Sequence, residues 1–112
     1  MAKRRLKAPT SEYRSPEGDV LVLRGAMTPG TRREYAATVG GSPLSQEDAW
    51  HRAVEFLFER LAVSWAVAGT DPLTRQKELL ARFRMASQAE RAWIRDVLRE
   101  HLQENFPDLA AP

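Results

Sequence analysis

At 112 residues with a net charge of +2, the chain is sized for one domain around a single modest core. It contains no cysteine, which excludes disulfides, thiolate zinc sites and cysteine nucleophiles. No run reaches the roughly 18 to 20 apolar residues needed to span a bilayer, and the start MAKRRLKAP lacks the apolar region of a secretory signal, so a soluble cytoplasmic protein is expected.

The charge is unevenly spread. Residues 1–33 carry eight basic and three acidic side chains, against nine and twelve in residues 34–112. Such asymmetry marks either a solvated tail or an arm that touches an anion. Residues 1–11, with Lys3, Arg4, Arg5 and Lys7, have almost nothing to bury and are expected to form a disordered basic arm. A single α-rich domain is expected over residues 12–112.

Glu12-Tyr13-Arg14 and Val20 to Arg24 flank the turn-rich Ser15-Pro16-Glu17-Gly18-Asp19, the pattern of a β-hairpin. Its apolar side is Tyr13 with either Leu21 and Leu23 or Val20 and Val22, and it should dock on the helices because two strands alone are marginal in water. Thr28-Pro29 supplies a helix cap and a first-turn proline, predicting a short helix over 29–38 that buries Tyr35, Ala36 and Val39. A third strand over 34–39 is the competing assignment. Gly40 to Pro43 is a linker.

The chain is organised around Gln46 to Ala68, QEDAWHRAVEFLFERLAVSWAVA. Trp50, Val54, Leu57, Leu61 and Trp65 recur at three- and four-residue steps, and from Phe56 onward only Glu59, Arg60 and Ser64 interrupt the apolar residues. This predicts a central helix covered on most of its circumference, started by Ser45 and stopped by Gly69. Asp71-Pro72 then opens a helix to about Ala86, and Ser87 with Glu90 forms a capping box for a last helix reaching about Asn105. That helix buries Trp93, Ile94, Val97, Leu98 and Leu102, with Phe106 closing its end and Arg91, Arg95 and Arg99 as a solvated row. The expected fold is mainly α: a small helical bundle around one central apolar helix, with an N-terminal β-hairpin.

Catalytic chemistry finds little support. Glu47, Asp48, His51 and Glu55 share one side of a helix, but a di-iron bundle needs matching motifs on facing helices, and Glu100 beside His101 diverges from it by about 100°. There is no serine elbow, and Gly40-Gly41-Ser42 lacks the ending of a phosphate loop. No catalytic residue, metal or cofactor is therefore expected. Trp65 and Trp93 are expected in the core, whereas Trp50, near the polar start of its helix, is the candidate for partner contact. The expectation is a small non-enzymatic interaction or accessory protein that binds a protein partner or itself, the homodimer forming through an uncovered strip of the central helix near Trp50. The alternative is a DNA-associated regulator using Lys3, Arg4, Arg5 and Lys7.

Overall fold

The computed structural model describes residues 9–40 and 46–112. The expected arm through Ala8, the Gly41 to Pro43 part of the linker and the Ser45 cap lie outside them. Among the described residues the chain runs β1 (Thr10–Arg14), β2 (Val20–Arg24), α1 (Pro29–Gly40), α2 (Gln46–Leu61), β3 (Ala62–Ala66), α3 (Gln76–Arg84) and α4 (Gln88–Asn105). It is mainly α with a small antiparallel sheet of order β1-β2-β3.

The hairpin forms as its turn chemistry requires. Ser15 anchors the loop, accepting at its carbonyl from the Gly18 amide and at its hydroxyl from the Asp19 amide, while Gly18 takes a φ of 97° that side chains avoid. Tyr13 stands opposite Leu21, so the inward side is Tyr13, Leu21 and Leu23. The strand begins two residues earlier than expected, with Thr10 and Ser11 paired to Arg24 and Leu23 rather than lying in the arm. Thr28 caps α1, its Oγ1 accepting from the Thr31 amide at 3.1 Å. Residues 34–39 are helix, so the competing strand does not form there; Tyr35 is buried and Ala36 exposed.

The expected central helix does not run to Ala68. It ends at Leu61, and Ala62–Ala66 crosses over as β3 to pair with β2. A register irregularity between Val22 and Leu23 leaves Val63 as an extra residue between the pairs Leu23–Ala62 and Val22–Ser64, which is a bulge. Ala62 and Trp65, three apart, are therefore both buried. A bundle around one central helix is not confirmed; the helices share their core with a three-stranded sheet through Leu21, Leu23 and Trp65. Gly69 does adopt a positive φ, 80°, but in a turn after the strand.

The core is one cluster: Leu21 and Leu23 from the sheet, Leu57, Phe58 and Leu61 from α2, Trp65 from β3, Leu79 and Phe83 from α3, and Ile94, Leu98 and Leu102 from α4. Phe58 stacks on Phe83 at 4.8 Å between ring centres and meets Trp65 edge-on at 5.7 Å. Phe106 closes the end of α4 and is buried. Trp93, expected in the core, is only partly buried at its margin. Leu73 exchanges backbone hydrogen bonds with Trp65, at 3.0 and 2.9 Å, which holds the segment after Pro72 extended; α3 consequently starts at Gln76 instead of Pro72, with no side-chain cap. The Ser87–Glu90 capping box is formed in both directions.

Candidate interaction surface

Leu21, Leu23 and Trp65 turn to the helices with no exposed surface, whereas Val20, Val22, Ser64 and Ala66 alternate to the other face and remain half-buried. Thr10, Glu12 and Arg14 project from that face at the β1 edge and are exposed, with Glu12 and Arg14 paired along the strand at 2.7 Å.

The two edges of the sheet differ. The edge of β3 is met by Leu73 at Trp65. β1 has no strand neighbour beyond it among the described residues. Its hydrogen-bonding parity follows from its ends: the Ser15 amide donates to the Asp19 carbonyl, and the Gly25 amide to the Pro9 carbonyl. In an antiparallel ladder alternate residues face the partner, so Ser11 and Tyr13 bond to β2 and the amides and carbonyls of Thr10, Glu12 and Arg14 point outward. Among the described residues these ladder positions have no partner, and such positions are of the kind that add a strand from another chain.

Beneath β1 lies a buried polar node. His101 of α4 has no exposed surface; its Nε2 is 2.6 Å from the Arg24 carbonyl and its Nδ1 is 2.8 Å from the Tyr13 hydroxyl and 3.2 Å from Asn105 Nδ2. A carbonyl can only accept, so Nε2 carries the proton, and Nδ1 accepts from Tyr13 and Asn105. Burial pushes the imidazole below its ordinary value, partly offset by the Arg24 bond, and burial raises the Tyr13 hydroxyl, with Glu104 and Glu100 adding to the effect. The node holds a neutral histidine that ties α4 to both strands of the hairpin.

Several other charged groups are engaged within the fold. Arg91 donates to the Arg84 carbonyl at 2.9 Å and lies over the Phe83 ring, and Arg99 donates to the Pro112 carbonyl. The expected arginine row is therefore partly spent on the α3–α4 turn and the C-terminal segment. Glu90 caps α4 and pairs with Arg82 at 2.6 Å, and chiefly that bond holds its carboxyl below the usual range. Glu55 pairs with Arg84 and Asp48 with Arg52; among the described residues no three metal-binding side chains converge.

Among the described residues, clefts open at the surface beside α4. One, of about 390 Å³, lies between α2 and α4 and is lined by Glu47, His51, Gln88 and Arg95 among others. A second, of about 520 Å³, lies between the hairpin loop and the start of α4, with Trp93, Val67 and Ala68 as walls and Glu17, Asp19 and Glu90 as polar lining. Asp19 is buried and held, accepting from the Ala68 amide at 3.0 Å and from Trp65 Nε1. Trp50 is half-buried against the core at the start of α2, and Lys3, Arg4, Arg5 and Lys7 lie outside the described residues. The structure does not bring Trp50 to the β1 edge. Thr10, Glu12 and Arg14 were not singled out as site residues by the sequence; the signal available was their alternation with Ser11 and Tyr13. No family model, curated protein or solved structure matches this chain. No helix of the described residues is long and apolar enough to cross a membrane.

Proposed function

We propose that the chain is a small non-enzymatic interaction or accessory protein that engages a protein partner by strand addition at β1. The observation that carries this is the outward-facing backbone of Thr10, Glu12 and Arg14 on one edge, while Leu73 occupies the other. The half-buried Val20 and Val22 stand opposite Arg14 and Glu12 across the hairpin, on the same face of the sheet. Main-chain pairing supplies affinity in this mode, and flanking side chains select the partner. Affinity capture with wild-type and Glu12→Pro baits tests it. Proline at 12 removes an amide that β2 does not use, so the hairpin survives and only the edge is blocked. A partner held by wild type and lost by Glu12→Pro supports the proposal. A partner held equally by both, and lost by Trp50→Ala, moves the site to the start of α2 and overturns it.

A further inference from the structure

We infer that the β1 edge pairs with β1 of a second copy in one register, Glu12 opposite the partner's Arg14, forming a two-fold dimer with a continuous six-stranded sheet. This rests on the reading of β1 as a docking edge and names its occupant. A two-fold axis through an antiparallel strand pair fixes the sum of opposed residue numbers. Because the outward backbone groups are those of the even residues, only even sums align donors with acceptors.

Of the central registers, one sets Glu12 against Glu12, another sets Arg14 against Arg14, and the one between them sets each Glu12 against an Arg14. Like charges directly opposite are destabilising and opposite charges favourable, so the charge pattern selects the middle register. There both symmetry-related Glu12–Arg14 pairs exchange their two backbone hydrogen bonds, Tyr13 meets Tyr13 on the axis, and Ser11 faces Ser15. Thr10 falls opposite Pro16, which lies in the hairpin turn beyond the end of β1 and has no amide to give to the Thr10 carbonyl, and the ladder stops. The Glu12–Arg14 contact already present within the strand at 2.7 Å becomes part of an alternating quartet. On the helical side Glu100 and Glu104, whose charges already act on Tyr13, oppose one another across the axis, so association is weak at low salt.

The test is light scattering after size exclusion from 1 to 100 µM for wild type, Glu12→Arg, Arg14→Glu, the double exchange and Glu12→Pro. Wild type should move from the 12.7 kDa of one chain towards twice that mass. Each single reversal should weaken the dimer by about tenfold or more, since it makes both cross-strand pairs like-charged. The double exchange restores the dimer, an equimolar mixture of the two single variants gives a heterodimer, and Glu12→Pro abolishes it while melting at the temperature of the wild-type chain at its lowest concentration. A dimer that survives Glu12→Pro, or a double exchange that fails to restore it, overturns the inference. A wild-type chain monomeric throughout also overturns it; if Glu12→Pro then still loses a captured partner, the edge docks another protein and only the self-pairing is wrong.

Discussion

Replacing His101 by phenylalanine isolates the polar node that joins α4 to the hairpin. The ring volume is largely kept, so little cavity forms, but the Arg24 carbonyl, the Tyr13 hydroxyl and one Asn105 contact lose their partner. A buried group left unsatisfied costs about 1–3 kcal/mol. Tyr13 is half-exposed and can turn to water, so the Arg24 carbonyl dominates, and a total loss of about 2–4 kcal/mol is expected. The pH dependence identifies the cause. The folded imidazole titrates below its usual 6.5, so below that pH the unfolded chain binds the extra proton and wild-type stability falls. The loss begins as pH drops through 6.5 and continues towards the depressed folded value, at no more than about 1.4 kcal/mol per pH unit. Glu90, with its carboxyl held low, adds its own loss only below the ordinary carboxylate range. Urea unfolding of both proteins between pH 7.5 and 5 measures this. The gap between wild type and His101→Phe should narrow as pH falls; a constant gap would refute a neutral buried histidine.

Trp65→Ala should cost about 3–5 kcal/mol, since it removes a fully buried indole touching α2, α3 and β2; an unchanged denaturation midpoint would place β3 outside the cooperative unit. Ser87→Ala should cost about 1 kcal/mol through the lost cap, read by thermal melting, and Glu90→Gln should repeat part of that loss because the same carboxylate also holds Arg82. In an alkaline absorbance titration neither tyrosine should ionise at its ordinary value of 10. Tyr35, pushed up to about 12 by burial, stabilises the fold below pH 10 and loses that contribution above it, so its ionisation should coincide with unfolding. A Tyr35 that titrates normally in a folded chain would contradict its burial. Glu100→Gln with Glu104→Gln should strengthen self-association at low salt, as seen by sedimentation.

The elements marked by turn and cap chemistry were legible in the sequence: the hairpin around Ser15–Asp19, the Thr28 cap of α1 and the Ser87 box of α4. The boundary inside Gln46 to Ala68 was not. Leu57, Phe58, Leu61, Ala62 and Trp65 are all buried, and their spacing continues a helical period without a break, although the last two belong to a strand. The bulge at Val63 puts two strand residues three apart on one face, which imitates a helix turn. In Ala62 to Ala66 only Val63 and Trp65 favour a strand, and the two alanines do not, so local propensity gave little warning. The late start of α3 has a tertiary cause, the pairing of Leu73 with Trp65. His101 was readable in part: it falls on the same stripe as Ile94, Leu98 and Leu102, and a polar residue on an apolar face calls for partners, but the Arg24 carbonyl is distant in sequence. The β1 edge could not be recognised until β3 was known to pair with the other side of β2.

Residue-resolved amide exchange along β1 tests the central claim most directly. In dilute solution the Ser11 and Tyr13 amides, bonded to β2, should be protected, while those of Thr10, Glu12 and Arg14 exchange rapidly. As concentration rises, Glu12 and Arg14 should gain protection together. Even protection of all five amides at the lowest concentration, or rapid exchange at Glu12 and Arg14 at every concentration and with any captured partner bound, would contradict an edge that docks another strand.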